Sequence, residues 1–364
     1  MYLYNLRLYD FRNFLELDIG FKNGINIFYG DNAQGKTNLL EAIYFITELK
    51  ATRAFREQEV IRYDQPLAFL KGLFSTKAGD IDRQVTIYRN RKKEVKEGEN
   101  KKSRWSELDP SISAVYFSPE DIDLVKGEPS LRRKFIDNLI YRIRPSFYKY
   151  LQGYQRVLTQ RNTLLKTIKV KPGMTKTLDP WDEQLSELGS QLINERLKML
   201  QRISSLSQDY FKTFTNKGND LRISYRSEID FSNPERIKAD YKNKLISNRE
   251  KDINRSFTSI GPHRDDIDFF IDGKNVKYYA SQGQQRLTVL CLKFAQRNLL
   301  YTEKGEYPIL LLDDVMSELD IHRRQLILGQ ENHQVFITTT DLKFIPEEIL
   351  EKSFLYPIKA GTLG

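Results

Sequence analysis

The feature that most constrains the fold of this 364-residue sequence is a short loop between a strand pattern and a helix pattern. Ile25 to Tyr29 is an apolar run that predicts a strand, and residues 38–49 have helical spacing. The loop between them fits G-x-x-x-x-G-K-[ST], the phosphate-binding pattern. It consists of Gly30, Asp31, Asn32, Ala33, Gln34, Gly35, Lys36 and Thr37.

Each part of this loop has a chemical reason. Glycines let successive backbone N–H groups point at phosphate oxygens, and the following helix adds its positive end. Lys36 is predicted to contact the β and γ phosphates as a catalytic residue, and the Thr37 hydroxyl to ligate Mg²⁺. Asn38, the next residue, is counted with the nucleotide contacts. The pattern therefore predicts ATP and Mg²⁺ as cofactors.

A second chemical signal comes late in the chain, where residues 309–312 form an apolar run that ends in two acids. Buried strands of an α/β sheet end at the ligand-binding edge. Asp313 is predicted to hold Mg²⁺, directly or through water, and Asp314 to orient or deprotonate the attacking water. The alternative is an ordinary turn or helix cap, which the phosphate loop makes the less favoured interpretation.

Bulk properties limit the remaining choices. The length predicts a main domain and a smaller one, and no apolar run approaches the ~18 residues of a membrane span. The first residues alternate like a strand rather than an export signal, and the single cysteine, Cys291, is expected to be a core thiol in a reducing cytoplasm. The net charge of +9 favours a polyanionic partner, although charge alone is weak evidence.

The order of patterns predicts an α/β phosphate-loop domain with an inserted, mostly helical arm. Residues 84–88 look like a strand, and the charged stretch 89–104 is expected to form a hairpin with Gly98 near its tip. Helical spacing then dominates to residue 208, with a break at 171–180. The predicted domains are residues 1–120, the first part of the head; 121–208, the arm; and 209–364, the rest of the head.

Residues 281–286, Ser-Gln-Gly-Gln-Gln-Arg, open a predicted helix just before the acidic strand. Alone this is a capped helix. The S-x-G-[QE] form resembles the signature loop of the ATP-binding-cassette superfamily, and residues 317–320, Ser-Glu-Leu-Asp, resemble its D-loop. The resemblance implies that Ser281, Gly283, Gln284 and Asp320 act at ATP held by the opposite subunit, in an ATP-dependent homodimer.

Further motifs narrow the resemblance. Phe-Arg-Asn-Phe at 11–14, Phe-Ser-Pro-Glu-Asp at 117–121 and Gly-Pro-His-Arg-Asp-Asp at 261–266 are, together with the D-loop, similar to the RecF family. That family is similar to the heads of SMC ATPases without their long coiled coil. The resemblance implies a fold with mixed sheets and ATP-dependent binding to single-stranded, duplex and gapped DNA. It also implies weak, DNA-dependent ATP hydrolysis that resets the complex, and RecA loading with RecO and RecR in replication, repair and the SOS response.

The sequence also departs from the superfamily. The histidine switch of cassette transporters is missing, and Thr340 stands near its place. Asp314 replaces the usual glutamate and is one methylene shorter, which predicts weaker hydrolysis. No residue matches the glutamine loop clearly, and Glu120 and Asp121 are the two candidates for its equivalent. A transporter subunit, a small-molecule kinase and a purely structural chromosome head are the competing functions.

For several residues the sequence allows two interpretations of their role. Arg12 contacts nucleotide phosphate or forms an ion pair at a strand edge. His263 and Arg264 belong to a site or to a satisfied loop. The candidate DNA contacts are basic residues of the hairpin and of the arm, which are also compatible with solvated faces. They are Arg89, Arg91, Lys92, Lys93, Lys101, Lys102, Arg104, Arg132, Arg133, Arg142 and Arg144.

Overall fold

The helix after the phosphate loop, α1 (Lys36–Glu48), lies between two six-stranded sheets. The computed structural model describes residues 1–52, 56–104, 107–171, 173–215, 218–329, 333–359 and 362–363. Within it the chain divides into two units, the first of Met1–Asp121 with Gln296–Gly364 and the second of Ile122–Ala295. Both sheets belong to the first unit.

One sheet is antiparallel throughout, with strand order β2-β1-β4-β5-β6-β7. Its last two strands form the predicted charged hairpin, and Gly98 adopts φ +59° at the turn between them. Its strands are β1 (Tyr2–Phe11), β2 (Phe14–Gly20), β4 (Leu67–Thr76), β5 (Gly79–Tyr88), β6 (Glu94–Glu97) and β7 (Asn100–Lys102).

The other sheet is parallel apart from one edge strand, with order β15-β14-β3-β13-β12-β8. Two of its inner strands, β12 and β13, are buried along their whole length, which explains their continuous apolar runs. Its strands are β3 (Ile25–Tyr29), β8 (Ala114–Phe117), β12 (Ile309–Asp313), β13 (Val335–Thr339), β14 (Phe354–Lys359) and β15 (Thr362–Leu363).

α1 is apolar on most of its surface because it packs against both sheets. Phe45 meets the ring of Phe11 from the antiparallel sheet, and Tyr44 meets Tyr116 from the parallel one. The predicted strand, loop and helix are confirmed. The same packing fixes the start of α1, and therefore the phosphate loop, at the carboxyl edge of the parallel strands. The first unit also contains α10 (Ile321–Leu328) and α11 (Glu347–Leu350).

The second unit contains three long helices, in agreement with the predicted helical spacing, and the break between α4 and α5 falls at the expected place. They pack with a three-stranded sheet of order β11-β10-β9. Its elements are α2 (Asp123–Lys126), α3 (Pro129–Ile143), α4 (Phe147–Val170), α5 (Asp179–Thr215), β9 (Leu221–Arg226), α6 (Ile237–Ser247), α7 (Arg249–Arg255), β10 (Asp266–Ile271), β11 (Lys274–Asn275) and α8 (Val276–Tyr279). The helix α9 (Gln282–Lys304) starts in this unit and ends in the first.

The second unit extends beyond the predicted arm, residues 121–208, because later elements pack on the arm's own helices. β9 and α6 both contact α5, and β10 contacts α3. The division after residue 121 is close to the predicted 120, whereas the second one falls at 295 instead of 208. Among the described residues, no helix combines the length and the apolar character needed to cross a membrane.

Candidate nucleotide site

The phosphate loop has a backbone that its glycines make possible. Gly30 and Gly35 adopt φ values of +144° and +108°, where side chains are strained. A Cβ on Gly30 would lie 2.4 Å from the carbonyl oxygen of Ile358, a backbone atom that cannot easily move away. The loop is therefore closed tightly against β14 at the start of α1, and the N-terminus of a helix is a place where N–H groups bind an anion.

Lys36 extends back across this loop. Its ammonium group donates hydrogen bonds to the carbonyl oxygens of Gly30 and Asp31, at 2.6 and 2.7 Å. Burial lowers the pKa of Lys36, while the charges of Asp314, Asp31 and Asp313 oppose that shift. An ammonium has three donors, so two bonds leave one for an anion in the loop.

Asp313 is held by hydroxyl groups at the end of β12 and is 1% exposed. Oδ1 accepts hydrogen bonds from Thr37 Oγ1 at 2.8 Å and Thr338 Oγ1 at 2.7 Å, and Oδ2 accepts one from Tyr116 OH at 2.6 Å. Tyr116 and Thr338 lie on the two strands that flank β12. The sequence did not single them out, although both stand near the end of short buried strands.

The Thr37 and Asp313 pair fits a Mg²⁺ ion. Two oxygen ligands at right angles around Mg²⁺, each about 2.1 Å from the ion, lie about 3 Å apart, and these two oxygens are 2.8 Å apart. No group of three or more His, Cys, Asp or Glu residues in the described ranges can hold a metal. The remaining ligands would therefore be phosphate oxygens and water, the usual arrangement for Mg²⁺ in nucleotide sites.

Asp314 has a different environment from its neighbour. Its backbone adopts φ +53°, and its N–H donates to Thr338 Oγ1 at 2.9 Å. Burial and the nearby charge of Asp313 raise the pKa of Asp314, and Lys36 opposes them. No described residue donates a hydrogen bond to its carboxylate. A carboxylate with a raised pKa and free lone pairs is suited to accept a proton from water.

These residues line one cleft of about 250 Å³. Thr340 lines this cleft, in agreement with its predicted position near the place of the transporters' histidine switch. The two glutamine-loop candidates, Glu120 and Asp121, do not line it. Asp121 instead accepts the N–H of Ser118 at 2.8 Å. The lining residues are Asn32, Ala33, Gln34, Gly35, Lys36, Thr37, Asn38, Asp313, Asp314, Thr338 and Thr340.

Arg12 forms an ion pair with Glu41, in agreement with one of the two interpretations of this residue. Its guanidinium binds both oxygens of Glu41, at 2.8 and 3.0 Å, and also donates to the carbonyl of Glu59. A contact from Arg12 to phosphate stays a prediction that requires this pair to open. The neighbouring Asn13 accepts a hydrogen bond from Asn38 at 2.7 Å and so supports the first turn of α1.

The signature-like residues lie in the second unit, at the start of α9. The N–H of Ser281 donates to Gln284 Oε1 at 2.9 Å, and the N–H of Gln284 donates to Ser281 Oγ at 3.3 Å. This reciprocal capping box holds the loop on its own helix. Ser281, Gly283 and Gln284 are all exposed, and a Cβ on Gly283 would meet nothing within 4 Å. The loop thus presents a preformed helix N-terminus.

Asp320 of the D-loop caps α10. Its side chain accepts the N–H of Arg323 at 2.9 Å and pairs with the guanidinium of the same residue at 3.1 Å. The carboxylate is still 53% exposed, so it is accessible to a second molecule.

The GPHRDD motif forms part of the core of the second unit. His263 is nearly buried, with Nδ1 2.7 Å from Tyr154 OH and Nε2 3.1 Å from the carbonyl of Thr258. Arg264 lies over the ring of Phe257. The interpretation of His263 as a satisfied side chain is the one found in the structure.

Two candidate DNA contacts of the arm, Arg132 and Arg142, are wrong because both side chains are buried. Arg132 is buried and binds both oxygens of Asp266, at 2.7 and 3.0 Å, and Arg142 is 9% exposed. The helical spacing of α3 places both on its packed face. In the hairpin, Arg89 and Lys93 bind backbone carbonyl oxygens of neighbouring loops, and Arg91 and Lys101 pair with Glu94.

Comparison with known proteins agrees with this architecture. The family of the RecF/RecN/SMC N-terminal domain matches residues 2–352. The chain is 39% identical to the DNA replication and repair protein RecF of Oceanobacillus iheyensis, over 100% of both sequences. It also resembles the structure of the recombination mediator protein RecF with ATP in the RecFOR pathway, with a TM-score of 0.91, 33% identity and coverage of 100% and 97%. An Smc head bound to the C-terminal winged-helix domain of ScpA shares the fold at 15% identity, with a TM-score of 0.57 and coverage of 100% and 96%.

Proposed function

Because the chain belongs to the RecF family, within the RecF/RecN/SMC group, we propose that it is an ATP-dependent, DNA-binding recombination mediator in DNA replication and repair. The observation that supports this most strongly is the cleft in which the phosphate loop and Asp313 converge through a direct Thr37–Asp313 contact. A nucleoside triphosphate with Mg²⁺ fits that arrangement.

In the proposed reaction, each residue has a task that its position supports. Lys36 and the N–H groups of the loop bind the β and γ phosphates of ATP. Thr37 and Asp313 would hold Mg²⁺, and the ion would supply positive charge beside the phosphate oxygens. Asp314 takes a proton from the attacking water. Thr340 offers a hydroxyl where transporters have histidine, so the water is less firmly placed and hydrolysis is slow.

We further infer that the site is completed by a second copy of the chain. Ser281, Gly283 and Gln284 form an exposed helix N-terminus, the kind of element that binds phosphate. Facing the ATP of the opposite subunit, this end would bind its γ-phosphate, and the exposed Asp320 would lie at the same interface. ATP then joins two subunits, and hydrolysis releases them and resets DNA binding.

The wider setting follows from the family. The proposed partners are single-stranded, duplex and gapped DNA together with RecO and RecR, and the proposed outcome is RecA loading at gaps and support of the SOS response. DNA-dependent hydrolysis and a cytoplasmic location belong to the same proposal. The site does not support the transporter and kinase alternatives. The chain lacks the histidine switch of transporters, and a kinase would need no signature-like loop.

The test is DNA binding by the full chain, measured by fluorescence anisotropy on single-stranded, duplex and gapped DNA. We expect ATP with Mg²⁺ to strengthen binding, and Lys36→Ala to remove that effect while leaving the fold unchanged by circular dichroism. Binding that is equal with and without ATP in the wild type would contradict the proposed gating.

A further inference from the structure

One segment accounts for the whole net charge of the protein. Residues 138–178 contain nine Lys and Arg residues and no Asp or Glu. The chain has 58 basic and 49 acidic residues, so outside this segment the two signs are equal at 49 each. Such a separation creates a local positive potential that the formal charge of +9 does not reveal.

Most of this segment is the helix α4, which has 24 residues and is therefore about 36 Å long. One face packs into the second unit through Tyr154, Val157, Leu158, Arg161, Leu165 and Ile168. The opposite face is exposed, and from residue 152 to 169 its exposed side chains are all Gln, Thr, Lys or Arg. A positive, polar surface thus follows the helix over several turns.

Three cations of this face have no side-chain partner among the described residues, whereas Lys169 donates to the carbonyl oxygen of Asn254. Arg161 is buried and binds Asp182 and Asp252, whereas Lys149, Arg156 and Lys166 are exposed and form no ion pair with any described residue. Lys149 and Arg156 are seven residues apart and therefore lie on the same side of the helix.

Two exposed acids of the adjacent helix are occupied by other cations. Glu183 and Glu187, on the adjacent helix α5, pair instead with Lys238 of α6. The charge of α4 is therefore left for a partner outside the chain.

The chemistry of the face favours nucleic acid over protein. A stable protein interface has an apolar centre, and the middle of this face has none. The amides of Gln152, Gln155 and Gln160 stand among the cations, and such side chains donate hydrogen bonds to phosphate oxygens. Exposed tyrosines at the N-terminal end of the helix, Tyr148 at 44% and Tyr150 at 39%, add ring surfaces of the kind on which bases and sugars pack.

We propose that the exposed face of α4, centred on Lys149, Arg156 and Lys166, binds the sugar–phosphate backbone of DNA without regard to sequence. The inference rests on the proposed DNA-binding function and assigns it to a surface. It replaces the buried Arg132 and Arg142 as the DNA contact of this unit. Phosphate contacts of this kind release counterions, so the binding depends strongly on salt.

The test compares three full-length variants with the wild type in the presence of ATP and Mg²⁺. The α4 variant carries K149Q, R156Q and K166Q. The matched control, K22Q with K96Q and K352Q, removes three exposed charges of the first unit that, like those of α4, form no ion pair with any described residue. A conservative variant, K149R with R156K and K166R, keeps the charge of α4. Dissociation constants are measured on a duplex and on its single strand, from about 50 to about 200 mM salt.

We expect the α4 variant to bind about tenfold or more weakly, with a salt slope lower by about 2 to 3 on duplex DNA. The control should change by less than about threefold, and the conservative variant should bind like the wild type. Wild-type affinity and slope in the α4 variant, or equal losses in both triple variants, would overturn the assignment while DNA binding itself stands. A wild type that binds no DNA would overturn the proposed function as well.

Discussion

At the scale of residues, the two adjacent acids of the cleft are set apart by their surroundings. Asp313 accepts three hydroxyl hydrogen bonds and is fixed in place. Asp314 lies next to it without such donors, and its pKa is raised. Pairs of carboxylates whose environments differ in this way commonly divide a metal or structural role from a proton-transfer role.

This division predicts the behaviour of Asp314→Asn. The amide keeps the size of the side chain but cannot accept the proton of water, so ATP turnover should fall by about a hundredfold or more. ATP affinity should change little, because Lys36, Thr37 and Asp313 are intact. Phosphate release and nucleotide titration measure the two quantities. Normal turnover in this variant would show that the proton goes elsewhere.

His263 predicts a pH dependence of stability. Burial lowers its pKa to about 4, and the positive Arg264 and Arg133 add to the shift, although the hydrogen bond to Thr258 opposes it. The unfolded chain has an ordinary histidine pKa of about 6.5, so between these values only the unfolded state binds the proton. His263 therefore leaves the free energy of unfolding unchanged above about pH 6.5. It lowers that free energy by up to about 3 kcal/mol as the pH falls towards 4.

The measurement is the free energy of unfolding in urea at several pH values, for the wild type and for His263→Gln. The glutamine has no charge to gain, so the variant should lose less stability between pH 7 and 4.5 than the wild type. Parallel pH curves would mean that another group causes the acid sensitivity.

At the scale of elements, the long helices of the second unit are joined by buried ion pairs. Arg161 of α4 is fully buried and binds Asp182 of α5 at 2.7 Å and Asp252 of α7 at 2.8 Å. Arg196 of α5 binds both oxygens of Asp137 on α3. A buried charge that loses its partner is costly, so these arginines fix which helices pack together.

The corresponding prediction is that Arg161→Met destabilises the protein by about 3 to 5 kcal/mol, because the carboxylate of Asp252 is left buried without its cation. Arg144→Met is the control from the same segment, since its pair with Glu195 is exposed and should contribute less than about 1 kcal/mol. Thermal unfolding followed by circular dichroism compares the two. Equal shifts would mean that burial does not determine the strength of these pairs.

The elements themselves were largely predictable, and their partners were not. The strand, loop and helix at residues 25–48, the hairpin around Gly98 and the apolar strand before Asp313 each have a local signal in the sequence. The hydroxyl groups of Tyr116 and Thr338 reach Asp313 only through strand order, which no local pattern encodes. The charges of Arg132 and Arg142 predict surface positions, but both residues lie on the packed face of α3.

At the scale of the whole molecule, ATP binding and DNA binding make different demands on the sequence. The nucleotide cleft is a set of residues from distant positions that a single motif could anchor. The proposed DNA surface has no motif, and its signal is the absence of acids between residues 138 and 178. The second boundary between the units, at residue 295, could not be predicted because it follows from the packing of β9, β10 and α6 on the arm.

The central claim is that ATP joins two subunits by placing the Ser281 loop of one on the phosphate loop of the other. Sedimentation velocity of the wild type with and without ATP and Mg²⁺ tests it most directly, with Ser281→Arg as the variant that blocks the contact. The account predicts a monomer without nucleotide, a dimer with ATP, and a monomer that still binds ATP for Ser281→Arg. A wild type that stays monomeric at saturating ATP and high protein concentration would contradict it.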